Sequence, residues 1–405
     1  MNFKRSPALH GVLLLTLAVA MALLLVPPGT ASAGGNSGEY YAVVLQGSCE
    51  ERGKQYGEQA EDLIAANIEL FIETAGRQGL SLAEIFERGR EYEQVLLQEA
   101  PCMASEIRKL AEVCGLSYEV LLAYNLLEEE IIGQGCTTML AAGMATRKGK
   151  AYFHKNRDAT RGSAQVVLQV EPEQGFKYIG ITSAGSSSIA MGINEWGVST
   201  GNNVLSTWDR GPGLGNLTIN RMILENAASA REAVELIEMW PRRGGSNFPV
   251  ADTQEGAFVE TTHTVIGVMW VIDDAKAHTN HYIIEGMEIY DTIDDPRNQR
   301  WSWYVSSRER LERANELLQK DWGDLTERHL IAISEDQTDE PSVYWIDSQA
   351  VIDGREMGSI SSGTFDDAKL RMWSQLGQPS LVPEIPLKVH MPLIPGPFAG
   401  KNIAE

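Results

Sequence analysis

Cys136 is the residue of this chain whose type and setting most directly suggest catalytic chemistry. It lies in a passage of small residues, Gly133-Gln134-Gly135-Cys136-Thr137-Thr138. Because Gly135 has no Cβ and wide freedom in φ and ψ, the thiol of Cys136 could reach the carbonyl directly before it. Attack there and hydrolysis of the resulting thioester would break the Gly135–Cys136 bond and free an α-amine on Cys136. An α-amine has a pKa of about 8, so one residue would supply both nucleophile and base. The simplest alternative is a buried structural cysteine.

The residues after Cys136 carry a resemblance to a known enzyme class. The segment Cys136–Met139, followed by Lys148–Asp158, resembles the N-terminal nucleophile hydrolases. It is most similar to the acyl-coenzyme A:6-aminopenicillanic acid acyltransferase family, and bile salt hydrolases are more distant because Lys155 stands where they have an arginine. The resemblance implies that a β-hairpin begins at the cysteine and that Asp158 orients the amine of the nucleophile. It also implies that Lys155 and Asn156 lie around that nucleophile.

Further similarities to this family follow in the same order along the chain. They imply that Asn280 stabilises the oxyanion, assisted by Asn203. They also imply that Arg308 or Arg310 contacts the nucleophile or a substrate carboxylate. Arg308 is nearer the bile-salt pattern, and Arg310 is nearer the acyltransferase pattern. The matching segments are residues 51–57, 192–198, 278–281, 307–318, 360–366 and 376–379.

The spacing of apolar residues predicts the elements that must position these side chains. Residues 55–130 show helical spacing, with Ser117 as a candidate cap for the last helix. Short strand-like segments follow Gly133, helices return at 220–238, strands return at 256–262 and 267–272, and a helix is predicted at 307–320. This order indicates a layered α+β fold. The resemblance implies a four-layer αββα sandwich with a helical N-terminal segment.

The chain divides into four predicted parts. Residues 1–33 are typical of a cleaved signal peptide, with Lys4 and Arg5 before an apolar run and Ala31-Ser32-Ala33 at its end. An uncleaved membrane anchor is the alternative, but the run is short for a bilayer span. Residues 34–135 form the helical segment, 136–378 the catalytic domain, and 379–405 a proline-rich extended tail. The signal predicts export, to the periplasm, the cell surface or the medium.

Composition and charge exclude some classes of partner. The net charge of −21 at pH 7 argues against binding of nucleic acid or anionic membrane surfaces. The cysteines show no zinc-site spacing, and no carboxylate completes a metal site with His278, His281 and His263. We therefore expect no metal and no cofactor. Export permits a disulfide, and the pairing of Cys49, Cys102 and Cys114 stays open.

Together these features predict a self-processing cysteine hydrolase of linear amides. Its substrate would be a small non-peptide or small-peptide amide, whose acyl group passes to water or to another amine. Its two cleavage fragments, 34–135 and 136–405, would stay associated, and any higher oligomer stays open. A phospholipase B-like or other ester hydrolase on the same fold, and a non-catalytic binding protein, are the alternatives. Glu128, Glu129 and Glu130, just before the expected cut, are interpreted as an exposed helix end.

Overall fold

The computed structural model of the chain describes residues 40–293, 295, 301–337, 346–347, 349–352 and 355–398. The predicted signal peptide, residues 1–33, and the last residues of the predicted tail, 399–405, lie outside these ranges. The described part of the chain belongs to one compact unit. Within it, no helix is both long enough and apolar enough to cross a membrane.

Between Tyr40 and Cys136 the chain forms four helices, as the apolar spacing predicts. Serine caps begin three of them: Ser48 and Ser81 form capping boxes with the glutamates three residues on, and Ser117 accepts from the backbone of Val120. The role of Ser117 as a cap is thereby confirmed. The helices are α1 (Cys49–Arg77), α2 (Leu82–Glu99), α3 (Pro101–Val113) and α4 (Tyr118–Ile131).

A ten-stranded sheet contains most of the strands after Cys136 and one strand before it. Its strands are β1 (Tyr40–Gly47), β4 (Gln165–Pro172), β5 (Tyr178–Ser183), β6 (Met191–Asn194), β7 (Ser199–Gly201), β8 (Asn203–Val204), β9 (Ser246–Ala251), β10 (Gly256–Thr261), β11 (Ile266–Val271) and β17 (Gly396–Phe398). Their order is β11-β10-β9-β7-β6-β5-β4-β1-β17, with β8 also paired to β9. Because β1 runs parallel to β4, the N-terminal segment is built into this sheet.

A seven-stranded sheet carries the candidate nucleophile. Its strands are β2 (Gly133–Gly143), β3 (Gly149–Thr160), β12 (Ala275–His278), β13 (Gln349–Ile352), β14 (Arg355–Asp366), β15 (Arg371–Leu376) and β16 (Ile385–Lys388). The order is β12-β2-β3-β14-β15-β16, with β13 on β14. The predicted hairpin is the antiparallel pair β2–β3, in which Cys136 lies opposite Arg157.

Three apolar clusters show how the layers stack. One joins α1–α4, α5 (Asn216–Asn226) and α6 (Ala230–Met239) to the outer face of the ten-stranded sheet. A second lies between the two sheets and includes Phe153, Val167 and Met191. A third joins the seven-stranded sheet to α7 (Trp301–Lys320) and α8 (Glu327–Ser334). The predicted α+β fold with four αββα layers is confirmed.

Residues 379–398 belong to this sandwich and do not project from it as a separate tail. Strand β16 pairs with β15, and β17 pairs with β1 of the other sheet. Ile385 and Leu387 alternate with exposed neighbours and are buried. The prolines hid this alternation in the sequence, because proline is ordinarily confined to the edges of sheets.

Cys49 and Cys102 form a disulfide that links the first turns of α1 and α3, with their Cα atoms 5.3 Å apart. Cys114 and Cys136 are free thiols. The pairing that the sequence left open is therefore Cys49–Cys102, and Cys136 is available for chemistry.

Candidate active site

Cys136 lies near the start of β2 with 4% of its surface exposed. Residues that lie opposite one another in an antiparallel pair share a face, so the Cys136 side chain points to the same side as that of Arg157. Arg157 Nη1 donates to Ser183 Oγ of β5 over 2.9 Å. The thiol therefore faces the interior between the two sheets.

The backbone of Cys136 is held by three side chains that the sequence analysis named. Its N–H donates to Asn280 Oδ1 over 3.0 Å. Its carbonyl accepts from Arg310 Nη1 at 2.8 Å and from Asn203 Nδ2 at 3.3 Å. Arg310 Nη2 also donates to Asn280 Oδ1, at 3.0 Å, and Asn280 Nδ2 donates to the carbonyl of Val204, at 3.0 Å. These contacts fix the peptide group that would become the N-terminus.

Asp158 lies opposite Gly135 in the hairpin. Its Oδ1 accepts from Ser359 Oγ at 2.7 Å, whereas its buried Oδ2 accepts no hydrogen bond within the described part of the chain. A Cβ on Gly135 would come within 2.9 Å of that Oδ2, so the carboxylate reaches the backbone just before Cys136 and explains the glycine there. Burial raises the pKa of Asp158, and the guanidinium of Arg310 opposes this rise.

The charges around the thiol decide its protonation. Burial raises the pKa of Cys136, the ammonium of Lys155 acts in the opposite direction, and the carboxylates of Asp158 and Glu129 raise it further. Burial also lowers the pKa of Lys155, whose Nζ donates to Ala190 O and Asn202 Oδ1, both at 3.1 Å. A neutral thiol needs a base before it can attack a carbonyl.

Two of the named residues do not reach Cys136. Asn156 turns to the other face of β3, where its Nδ2 donates to the carbonyls of Ser334 and Ile346 at 2.9 and 3.0 Å. It therefore fastens β3 to the neighbouring helical layer. Arg308 is exposed, whereas Arg310, half a turn further along α7, is buried. Of the two arginines left open by the sequence, the structure places Arg310 beside Cys136.

The three glutamates before the expected cut are placed differently from the prediction. The interpretation as an exposed helix end is wrong for Glu128, which is buried and bonds Arg157 over 2.6 Å. Glu129 Oε1 accepts from Asn202 Nδ2 at 2.7 Å, and burial raises the pKa of Glu129. One feature of the sequence could have predicted these buried glutamates. Lys155 and Arg157 are two residues apart in β3, so both point to the face on which the Cys136 side chain lies, and buried cations require acidic partners.

Two histidines near the site hold the loop around Asn280 through hydrogen bonds to neighbouring side chains. His278 Nε2 lies 2.8 Å from Glu260 Oε1, and that carboxylate also accepts from the N–H groups of Ile283 and Ile284. His281 Nδ1 lies 2.8 Å from Ser307 Oγ. These bonds fix the loop that carries Asn280. Over the ranges that the structure describes, no group of three or more His, Cys, Asp or Glu residues is arranged to hold a metal ion.

Several solved structures are similar to this chain at low identity. An N-acylethanolamine-hydrolyzing acid amidase orthologue from Caenorhabditis elegans is 14% identical, with a TM-score of 0.41 over 57% of this chain and 93% of that one. The conjugated bile acid hydrolase of Clostridium perfringens is 13% identical, with a TM-score of 0.39 over 59% and 89% of the two chains. Penicillin V acylase from Agrobacterium tumefaciens is 15% identical, with a TM-score of 0.39 over 60% and 83%.

Sequence comparison gives a more direct result. No curated protein sequence matches the chain. The profile of the acyl-coenzyme A:6-aminopenicillanic acid acyl-transferase family matches residues 145–381, which is more than half of the 405 residues. The match begins after Cys136 and includes Lys155, Asp158, Asn203, Asn280 and Arg310. The chain thus belongs to the acyl-coenzyme A:6-aminopenicillanic acid acyl-transferase family.

Proposed function

We propose that this protein is a self-processing cysteine N-terminal nucleophile hydrolase, which cleaves a small linear amide or transfers its acyl group to another amine. The family supports acyl transfer. The observation that carries the proposal is the buried Oδ2 of Asp158, which has no hydrogen-bond partner among the described residues and lies against Gly135. A new amine on Cys136 would give this carboxylate the partner that it lacks in the intact chain.

Processing needs the thiol of Cys136, the carbonyl of Gly135 and one water molecule. The sulfur of Cys136 attacks the carbonyl carbon of Gly135, the C–N bond breaks, and the thiol proton passes to the departing amine. Water then hydrolyses the thioester, which leaves a carboxylate on Gly135 and a free thiol and amine on Cys136. The bonds from Arg310 and Asn203 to the Cys136 carbonyl hold the residue in place through both steps.

Turnover repeats the same chemistry on a substrate. The α-amine of Cys136 accepts the thiol proton, the thiolate attacks the amide carbonyl, and the amine returns the proton to the leaving amine. Asn280, assisted by Asn203, stabilises the oxyanion once the cleaved segment frees the space before Cys136. Asp158 orients the amine, and Lys155 and Arg310 balance the negative charge. Water or a second amine then releases the acyl group.

Export is part of the proposal. A disulfide such as Cys49–Cys102 persists in oxidising compartments and is rare in the cytosol. It joins α1 to α3 within the segment that processing would separate from the rest. The signal-like residues 1–33 supply the route out of the cell, so the active enzyme would consist of residues 34–135 and 136–405.

Processing is the first expected result. Purified protein should separate under denaturing conditions into residues 34–135 and 136–405, and N-terminal sequencing of the larger piece should begin Cys-Thr-Thr. Under native conditions the pieces should stay together, because β1 pairs with β4 and β17 and the helices cover the ten-stranded sheet. An intact chain that hydrolyses amides, shown by intact-mass analysis, contradicts the proposal.

Asn280→Ala should lower turnover by about 10²- to 10³-fold, the usual cost of removing one oxyanion donor. Because Asn280 also accepts from Cys136 N–H, the rate is measured per processed molecule, counted from the cleaved fraction in the intact-mass spectrum. Asn315→Ala is the matched control, since that amide bonds the backbone of Ala277 and Leu311. Full turnover by processed Asn280→Ala on every amide tested would show that the oxyanion is held elsewhere.

A further inference from the structure

Strand β11 (Ile266–Val271) forms one edge of the ten-stranded sheet. On its inner side it pairs with β10 in continuous register, from Ile266 opposite Thr261 to Val271 opposite Gly256. Among the residues that the structure describes, none outside β10 and β11 hydrogen-bonds to the backbone of Ile266–Val271. The backbone N–H and C=O groups on the outer side can therefore pair with another strand.

The strands at the other three ends of the two sheets carry residues that ordinarily prevent edge pairing. Prolines lie in β17 and β16, at Pro397 and Pro386, and lysines lie in β12 and β16, at Lys276 and Lys388. Proline has no N–H to donate, and a charged lysine side chain opposes pairing between edges. The sequence of β11, Ile-Gly-Val-Met-Trp-Val, contains neither proline nor a charged residue. Its composition is therefore that of a strand with neighbours on both sides.

Both faces of β11 carry half-buried apolar side chains. Ile266, Val268 and Trp270 pack on the helical layer, whereas Met269 packs between the two sheets. A strand added to an antiparallel sheet with one wet face needs apolar residues on one side only. A strand added to β11 must continue an apolar layer on both sides, and β11 itself has this pattern. The requirement therefore favours a second copy of β11 over a peptide of alternating polarity.

Helix α6 lies along this part of the sheet. Its first residue, Ala230, donates its N–H to Asp252 just before β10. Arg242, shortly after the helix, donates to the carbonyl of Thr262, just after β10. The helix thus runs beside β10 in the same direction, and opposite to β11. Any antiparallel pairing of two β11 strands would also bring two α6 helices side by side in opposite directions.

The charges on α6 are complementary in such an arrangement. The guanidinium carbon of Arg231 lies 4.5 Å from the ring centre of Trp270, so this side of the helix faces β11. Arg231 is 60% exposed and pairs with Glu255 of its own chain. Glu238 lies two turns further along the same side of α6 and is exposed. Between antiparallel helices, Arg231 of each copy would meet Glu238 of the other, which places opposite charges together in a chain of net charge −21.

We infer that two copies of this chain pair through β11, antiparallel about a twofold axis perpendicular to the ten-stranded sheet. Opposite residues of an antiparallel pair share a face, so the longest pairing places the axis at Val268 or Met269. The two ten-stranded sheets then form one continuous sheet, with the same patch used on both copies. Strands of this length cover less than the roughly 800 Å² per partner of a stable interface, so the dimer should be reversible. The inference depends neither on processing nor on the proposed function.

The test follows the oligomeric state of the full chain against its concentration. Sedimentation velocity is measured at physiological salt, where a Debye length of about 8 Å limits the repulsion between two acidic chains. We expect monomer to convert to dimer as the micromolar concentration rises. Hydrogen exchange of the outward amides of β11 should slow over the same concentration range, whereas exchange in β17, at the opposite edge of the sheet, should not change.

The variants change the edge and the helix separately. Val268→Lys brings two ammonium groups together near the axis and should raise the dimer Kd by at least about 10-fold. Val351→Lys is the matched control, because Val351 is 72% exposed in a strand of the other sheet. Arg231→Glu and Glu238→Arg should each raise Kd by about 3- to 10-fold, and the double reversal should restore it. Thermal unfolding confirms that each variant is folded.

Three outcomes overturn the inference. A natural chain that stays monomeric over the whole concentration range refutes it, and slow exchange of the β11 amides in that monomer would show that another part of the same chain covers the edge. A dimer whose Kd is unchanged in folded Val268→Lys pairs through a different surface. If Val268→Lys does not fold, the exposed positions decide, and a Kd that neither single charge reversal changes refutes the pairing.

Discussion

Cys136→Ala is expected to give a single intact chain with no measurable amide hydrolysis. In the proposed mechanism the same sulfur breaks the Gly135–Cys136 bond and attacks substrate, so both readouts should be lost together. The replacement is small and the side chain is buried, and the hairpin register and the bonds from Asn203 and Arg310 to the backbone carbonyl are independent of the thiol. The variant should therefore fold. Intact mass, turnover and thermal unfolding measure the three effects.

The chain supplies a matched control for this replacement. Cys114 is the other free thiol and is half-buried, and burial together with Glu61 raises its pKa to about 11, so it is protonated and unreactive at neutral pH. Cys114→Ala should be processed and active like the natural chain. Cleavage that persists in Cys136→Ala would mean that another group attacks the Gly135 carbonyl.

Local patterns in the sequence predicted most of the fold. Helical spacing, serine caps and the change to short strands after Gly133 gave the elements, because these signals depend on residues within a few positions of one another. The strands at 385–388 and 396–398 escaped detection, since short proline-containing strands are recognised only through their distant partners, β15 and β1.

In the site, too, residues close together in the sequence could be predicted, whereas partners far apart in the sequence could not. The hairpin brought Lys155 and Asp158 to Cys136, and both could be named from one short segment. Asn156 and Asp158 both point away from the face of Lys155, because side chains alternate along a strand. Asp158 lies opposite Gly135 and reaches the backbone before Cys136, whereas Asn156 bonds Ser334 and Ile346 instead. The partnership of Glu128 with Arg157 joins a helix end to a strand, and no spacing rule connects two such positions.

The charges around Cys136 would keep the intact chain inactive. In the intact chain, burial and two carboxylates keep the Cys136 thiol protonated, and the peptide nitrogen of Cys136 has no basic lone pair. Nucleophile and base would appear together only when the bond breaks. Processing would thus also switch on turnover, and a block on the new amine should abolish activity even where the thiol is intact.

Blocking the α-amine of Cys136 tests the proposed mechanism directly. Two versions of the larger piece would each be co-expressed with residues 34–135, one starting at Cys136 and one with a single extra, non-removable residue before it. The first should be active without processing. The second should assemble, since the hairpin is unchanged, and should hydrolyse no amide, because an acylated nitrogen neither accepts nor donates the proton. Equal activity would indicate a separate base, with His278, His281 and His154 the first to examine.

The rate of the active version should depend on pH through the same amine. The amine must be neutral to accept the thiol proton, so kcat/KM should rise with pH through the amine pKa, which is about 8 in the absence of neighbours. The ionised carboxylate of Asp158 stabilises the ammonium form and moves this pKa upward. Asp158→Asn removes that charge, so the rising limb should move to lower pH while the maximal rate falls, because the amine is less well oriented. A pH profile that Asp158→Asn leaves in place would show that the titrating group is not the α-amine of Cys136.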